Sequence, residues 1–212
     1  MSAAARSLSR NRPSGRKALL ATAMLLVAVA SAFPLAWMVL SSLKTPAETM
    51  QVPPVWIPRT PTLEAYEKVA GVINVGRSMW NSLVIASVTT AGILVTSMMA
   101  GYAFAKYSFP GRSLLFSVLL ATMFLPPIVT LIPLYRMVGS LGLSASLAGI
   151  IVPNLANAFG IFLMRQFIAG VPDDLIDAAR MDGASELLIL YKIVAPSVAP
   201  AIAALALFAF VY

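Results

Sequence analysis

The chain has 212 residues, of which 59% are hydrophobic and 11% are charged, and its mean hydropathy is +0.87. Soluble domains carry roughly 25% charged residues, so this composition indicates an integral membrane protein. The sequence has no histidine and no cysteine, which excludes a histidine-based triad, disulfides, and metal sites built from imidazole or thiolate ligands. The net charge is +7, but the basic residues flank apolar segments, so we predict a lipid bilayer and no nucleic acid as partner.

Five uncharged stretches predict five membrane spans. The gaps between successive flanking basic residues contain 26, 28, 23 and 28 residues, and the last 20 residues are also uncharged. A spanning helix needs about 20 apolar residues. We therefore predict an all-α, polytopic transmembrane helix bundle with spans at about 18–40, 80–103, 114–134, 147–167 and 195–212.

The same pattern divides the chain into three segments. Residues 1–17 are predicted to be a basic cytoplasmic tail, 18–79 the first transmembrane helix with an external loop, and 80–212 a membrane domain. Ala30-Ser31-Ala32, after a basic head and an apolar run, also resembles a signal-peptidase site. Because the apolar run continues through Leu40, we interpret this stretch as a span, with cleavage as the alternative.

A polar stretch at 171–200 interrupts the apolar C-terminal half and holds five of the eight acidic residues. Asp173 and Asp174 follow a proline and suit the first turn of a helix, where carboxylates are favoured. We expect this helix to end near Met181, with Gly183 in a left-handed turn and Ser185 capping a second helix.

The side chains of this hairpin are also predictable from their spacing. Asp177 can pair with Arg180 three residues later. The second helix is expected to end before Pro196. One face of the first helix should hold four apolar residues, two of them small enough to let another surface approach closely: Leu175, Ile176, Ala178 and Ala179.

The run from Asp177 to Ser185, followed by Ile193 and Pro196, resembles the EAA–Gly loop of ABC importer permeases, and within them the carbohydrate, maltose-type branch. Two further blocks are similar to the same family: GYAFA followed by FPGR at 101–112, and GIFLMRQF at 160–167. Asp177 stands where the family usually has glutamate, which keeps the charge but shortens its reach by one methylene.

The resemblance implies a type I ABC importer permease with a presumed six helices, of which five are present, so a C-terminal truncation is expected. It implies a loop at 171–195 that docks into a cleft of an ATP-binding subunit. The residues carried over for this coupling role are Asp177, Ala178, Ala179, Asp182, Gly183, Ala184, Ile193 and Pro196. The implied partners are a pair of ATP-binding subunits, a second permease subunit and an extracytoplasmic solute-binding protein.

Polar residues inside the spans are candidates for the substrate pathway: Asn81, Asn154 and Asn157. Asn154 and Asn157 are three apart and are expected to share one helix face. Uncharged amides suit hydroxyl-rich sugars, and hydrogen bonding between helices is the alternative. We predict no catalytic residue, no metal site and no cofactor.

The sequence therefore predicts the permease subunit of an ATP-driven, binding-protein-dependent sugar importer. Alternatives are an importer of glycerol-3-phosphate or another small polar solute, or a truncated non-functional copy. An intramembrane enzyme or an ion-coupled transporter is disfavoured because no acidic residue falls within a span. A cytoplasmic N-terminus places ten basic residues inside and five outside, which predicts this orientation for a multi-pass membrane protein. The resemblance implies that the membrane is a bacterial or archaeal cell membrane.

Overall fold

The computed structural model of the chain describes residues 15–211, and these residues form helices and connecting loops without any strand. The predicted all-α class is confirmed. The helices of the described part are α1 Gly15–Ser42, α2 Pro46–Thr49, α3 Glu64–Val72, α4 Val75–Lys106, α5 Arg112–Thr122, α6 Pro127–Ser140, α7 Leu147–Asn154, α8 Ala158–Ala169, α9 Asp173–Met181, α10 Glu186–Ile189, α11 Ala195–Ser197 and α12 Ala199–Val211, with a π-helical turn at Leu190–Val194.

The chain divides into two compact units at Val75 and Gly76. In the first unit, the proline-rich loop after α1 packs against the end of that helix. The Trp37 and Trp56 rings meet edge to face at 5.2 Å, and Lys44 Nζ lies 3.9 Å above the Trp37 ring. Thr62 Oγ1 accepts the backbone N–H of Glu64, the first residue of α3. The loop is therefore ordered by aromatic and cation–π contacts.

Three helical stretches of the described residues are long and apolar enough to cross a membrane: Leu19–Ser42, Val75–Lys106 and Leu147–Ala169. They coincide with the predicted first, second and fourth spans. Two further pairs would raise the number to five if each bent pair is one span, namely Arg112–Thr122 with Pro127–Ser140, bent by 103°, and Glu186–Ser197 with Ala199–Val211, bent by 87°. Residues 1–14 of the predicted tail, and Tyr212 at the end of the predicted fifth span, lie outside the described residues.

The sharp bend in the predicted third span coincides with its two adjacent prolines. α5 ends at Thr122, Pro126 is extended with φ −61° and ψ 134°, and Pro127 begins α6. A proline lacks the N–H that continues a helix and disfavours helical geometry in the residue before it. Where the sequence predicts one span at 114–134, the structure shows two helices separated by a break.

In the core of the second unit, α4 and α8 approach each other closely at Gly101. A Cβ on Gly101 would lie 2.7 Å from Met164 Cβ and 2.9 Å from the backbone nitrogen of Arg165. Glycine alone permits this approach, because any side chain would push the two backbones apart. Side chains from α8, the hairpin and α12 fill the rest of this core, and its most deeply buried members are Met164, Ile168, Ile176, Ile189, Val194 and Leu205.

Candidate functional site: the 171–196 hairpin and a polar cavity

The hairpin turn between α9 and α10 has the predicted geometry. Gly183 has φ +81°, its N–H donates to the Arg180 carbonyl oxygen, and the N–H of Ala184 donates to the Ala179 carbonyl oxygen, both at 3.0 Å. These two bonds define a Schellman stop, in which a left-handed residue lets the last carbonyls of a helix find donors. Ser185 Oγ then accepts the N–H of Leu188 and caps α10. The direction of the hairpin is thus set by its own backbone.

A small ionic cluster joins the two arms of the hairpin. Arg180 donates to Asp177 at 3.0 Å, the predicted pair, and also makes two bonds to Glu186, with Nε to Oε1 at 2.7 Å and Nη2 to Oε2 at 3.3 Å. The hydrogen bond to Glu186 raises the pKa of Arg180 above its ordinary value. Burial, together with a hydrogen bond to Glu186, raises the pKa of nearby Tyr107. Arg180 therefore remains charged and bridges α9 to α10.

Two contacts fasten the hairpin to the end of α4. Tyr102 Oη donates to Glu186 Oε2 at 2.7 Å. Lys106 Nζ, whose side chain is 6% exposed, donates to the Val171 carbonyl oxygen at 2.5 Å and to Asp173 Oδ1 at 2.6 Å. One contact lies on α10 and the other at the start of α9. A displacement of the hairpin must therefore pull on α4 or break these bonds.

The apolar face predicted for α9 is divided in the structure. Ile176 is 1% exposed and points into the core, with Ala179 packed beside it. Leu175 is 50% exposed, Met181 is 89% exposed, and Ala178 is also exposed. The prediction of one shared face for Leu175, Ile176, Ala178 and Ala179 is therefore wrong. One apolar stripe, Ile176 with Ala179, anchors α9 on the core. A second stripe, formed by Leu175, Ala178 and Met181, is left uncovered within the described chain.

The sequence predicts that the second arm of the hairpin ends before Pro196, and this prediction is wrong. α10 continues through the π turn Leu190–Val194 into α11, which includes Pro196. The N–H of Ala195 donates to the Leu190 carbonyl oxygen, five residues back. This wider turn accommodates the proline, whose ring clashes with the carbonyl four residues earlier in a regular helix. Ile193 packs against the core from within this turn.

A second candidate site is a cavity of about 730 Å³ lined by α4, α7, α8 and α12. Asn154 and Asn157 both line this cavity. The prediction that they share one helix face is wrong, because the helix breaks between them. Asn154 is the last residue of α7, and Asn157 caps α8 by accepting the Gly160 N–H at 2.8 Å. The carbonyl oxygen of Leu155, inside the break, accepts a hydrogen bond from Thr96 at 2.5 Å. A capping asparagine explains why the helix restarts here.

The cavity keeps unused polar groups. Thr89 Oγ1 lines it, is buried, and has no hydrogen-bond partner among residues 15–211. Asn154 uses its Nδ2 on the Ile150 carbonyl oxygen, which leaves its Oδ1 available. Asn81, the third predicted pathway residue, does not line this cavity, whereas its neighbour Ser82 does.

The geometry defines a polytopic helical protein with a polar, core-anchored hairpin, and comparison with solved structures supports this class. The chain matches a structure described as "a bacterial ABC transporter involved in the import of the acidic polysaccharide alginate" with a TM-score of 0.70 and 27% identity. The match covers 92% of this chain and 69% of that one. The fold is therefore that of an ABC importer permease.

Sequence comparison gives the family. Residues 92–212 match the model for the "Binding-protein-dependent transport system inner membrane component", and the chain belongs to this family. It is 34% identical over 177 residues to the arabinooligosaccharides transport system permease protein AraQ of Bacillus subtilis, and the match covers 82% of this chain. It is 32% identical over 189 residues to the sn-glycerol-3-phosphate transport system permease protein UgpE of Brucella abortus, and the match covers 85% of this chain. The chain spans 63% of the length of AraQ and 67% of UgpE.

Sequence reasoning missed the residues that fasten the hairpin. Glu186 and Tyr102 are 84 positions apart, and Lys106 and Asp173 are 67 apart, so spacing along the chain cannot pair them. One signal was present: Glu186 lies in the first turn of a helix within a chain that has only eight acidic residues. The predicted coupling residues, by contrast, come from one contiguous motif, and the structure brings most of them together on α9 and its turn.

Proposed function

We propose that this multi-pass membrane protein is the permease subunit of an ATP-driven, binding-protein-dependent importer of carbohydrate. It forms half of the substrate pathway, and a second permease subunit forms the other half. A pair of ATP-binding subunits acts on the hairpin from the cytoplasm, and an extracytoplasmic binding protein delivers the solute. The chain has no catalytic role of its own, and it lies in a bacterial or archaeal cell membrane with its N-terminus in the cytoplasm.

The observation that carries this proposal is the fastened hairpin with an uncovered apolar stripe. Leu175, Ala178 and Met181 offer apolar surface to a partner, and Ala178 is small enough to allow close approach. Exposed apolar residues on an otherwise charged helix are typical of a protein–protein contact. The bonds from Tyr102 and Lys106 on α4 to Glu186 and Asp173 give the hairpin a mechanical connection to the membrane helices.

The predicted coupling residues take distinct roles in this proposal. Ala178 forms the contact surface, while Ala179, Ala184 and Ile193 hold the hairpin on the core. Asp177 orients Arg180 through their ion pair. Asp182 and Gly183 form the stop of α9, and Pro196 marks the wide turn in the second arm. Nucleotide-driven closure of the ATP-binding subunits then moves the hairpin as one piece.

The polar cavity supports a neutral, hydroxyl-rich solute over a phosphorylated one. Its polar lining consists of hydroxyl and amide side chains, and no lysine or arginine lines it among the described residues. Sugar hydroxyls pair with such groups, whereas a phosphate is normally bound by arginine, lysine or a helix N-terminus. The N-terminus of α8 lies at the cavity, but Asn157 already caps it. Glycerol-3-phosphate is the second candidate, because UgpE, one of the relatives, is named for it.

Cysteine cross-linking tests the partner. The chain has no native cysteine, so Ala178→Cys introduces a unique thiol on the uncovered stripe. We expect a disulfide cross-link to a single cysteine in the docking cleft of the co-expressed ATP-binding subunit. Ser108→Cys, exposed in the turn after α4, is the matched control and should give none. Absence of cross-linking from Ala178→Cys, with the chain correctly inserted, would contradict the proposal.

Uptake measurements test the substrate. The complete importer, reconstituted with this chain, is expected to accumulate a radiolabelled oligosaccharide in an ATP-dependent manner. Asn157→Asp adds a negative charge to the cavity with little change in volume and should slow that uptake, while Asn81→Asp serves as the comparison outside the cavity. Uptake of glycerol-3-phosphate in place of sugar would support the second candidate, and no uptake at all would indicate a non-functional copy.

A further inference from the structure

A second cavity, of about 680 Å³, lies where the turn after α4 meets α5 and α8, away from the hairpin stripe and the polar cavity. Two arginines line it, Arg112 from the start of α5 and Arg165 from α8. The hydroxyls of Ser113 and Ser117 line the same space and make no hydrogen bond within the described residues. The cavity is therefore rich in donors.

Both guanidinium groups are held in place without being neutralised. Arg112 donates to the carbonyl oxygens of Tyr107 at 3.0 Å and Ala105 at 3.4 Å. Arg165 stacks 4.2 Å above the Phe116 ring and donates from Nε to the Phe104 carbonyl oxygen at 3.4 Å. Within residues 15–211 neither arginine forms a salt bridge. Each retains N–H donors for an anion, and the aromatic stack keeps Arg165 in a fixed orientation.

The position of the cavity identifies the kind of anion. Arg112 begins α5, and no charged residue follows it until Arg136, so the cavity lies at the polar edge of a predicted span. The neighbouring side chains of α5 are apolar and uncovered: Leu114 is 68% exposed and Leu115 and Val118 are each 55% exposed. No side chain caps the start of α5, where the helix dipole favours negative charge. A ligand that satisfies all of these features has a phosphate at one end and hydrocarbon at the other.

We propose that this cavity binds the headgroup of an anionic glycerophospholipid, with its phosphate between Arg112 and Arg165 and its acyl chains along α5. The serine hydroxyls donate to the remaining phosphate or glycerol oxygens. This site is distinct from the transported solute and from the ATP-binding partner, and it does not depend on the function proposed above.

Native mass spectrometry of the full chain in detergent tests the proposal with three probes: phosphatidylglycerol, phosphatidylcholine and inorganic phosphate. We expect one phosphatidylglycerol to bind roughly tenfold more tightly than phosphatidylcholine, which has the same phosphate but carries a choline cation that the two arginines repel. Arg112→Gln and Arg165→Gln should each weaken that binding by roughly tenfold. Arg136→Gln, an exposed arginine outside the cavity, is the matched control and should leave it unchanged.

A second variant separates lost binding from lost folding. Ser117→Trp fills the cavity but keeps both arginines, and it should also abolish the preference for phosphatidylglycerol while circular dichroism shows unchanged helix content. Equal binding of the two lipids by the unaltered chain would overturn the proposal, as would wild-type binding by Ser117→Trp. Competition by inorganic phosphate at equal concentration would show a site for free phosphate and would also overturn it.

Discussion

At the scale of single residues, Glu186 connects the parts of the hairpin. Its carboxylate receives bonds from Arg180 on α9 and from Tyr102 on α4, while its own backbone begins α10. Three elements therefore depend on one side chain. Because its side chain is 43% exposed, solvent screens these contacts, and we assign them collectively about 1 kcal/mol.

Replacing Glu186 with glutamine tests this connection. The neutral amide keeps the shape but loses the charge-assisted bonds to Arg180, so the hairpin should open more often. We expect backbone hydrogen exchange over residues 173–190 to become about fivefold faster in the purified chain, since about 1 kcal/mol corresponds to that factor. Glu67→Gln, an exposed residue of α3 that forms no salt bridge within the described chain, should change no exchange rate in the hairpin. Unchanged exchange in Glu186→Gln would show that the cluster contributes nothing to holding the hairpin.

At the scale of elements, local sequence rules predicted the α9–α10 hairpin correctly but did not predict the breaks within the spans. The stop at Gly183, the cap at Ser185 and the Asp177–Arg180 pair follow from short-range chemistry, and all are found. The division of the α9 apolar face could not be predicted, because it depends on which side α4 and α8 approach. The break between Asn154 and Asn157 leaves a signal in the sequence, a proline followed by a capping residue, but apolar spans tolerate both without breaking.

The turn at Gly183 gives a test of the hairpin as a unit. A Cβ there would meet no atom within 4 Å, so a substitution strains only the backbone at φ +81°. Gly183→Val should cost about 1–2 kcal/mol in the turn, whereas Gly183→Asn should cost much less because asparagine accepts left-handed geometry. In the assembled transporter we expect valine to uncouple ATP hydrolysis from uptake, with normal membrane insertion. Coupled uptake by the valine variant equal to that of asparagine would argue against a rigid hairpin.

At the scale of the whole molecule, hydropathy and charge predicted the class and the number of apolar segments well. Helices occupy all five predicted segments, and three of these stretches are long and apolar enough to span as they stand. The third and fifth predicted spans are bent by 103° and 87°. The length of an uncharged stretch cannot reveal such a bend, because it says nothing about the direction in which the helix runs. The two cavities could not be predicted from the sequence either, because each is lined by residues from different helices.

The predicted orientation can be tested with single cysteines in the cysteine-free chain. Asp174→Cys on the hairpin should react with a membrane-impermeant maleimide only after the cells are permeabilised. Thr60→Cys, in the loop of the first unit, should react in intact cells. The expected difference follows from the excess of basic residues on the cytoplasmic side. The opposite pattern would place the hairpin outside and would remove it from the reach of an ATP-binding subunit.

The contact of Gly101 with Met164 and Arg165 also limits how this protein can change shape. Where two backbones touch without intervening side chains, neither helix can rotate or slide past the other without a steric collision. Any alternation between two conformations must then leave this pair intact and be absorbed elsewhere, at the proline break after α5 and at the bend between α11 and α12, which we expect to serve as the hinges.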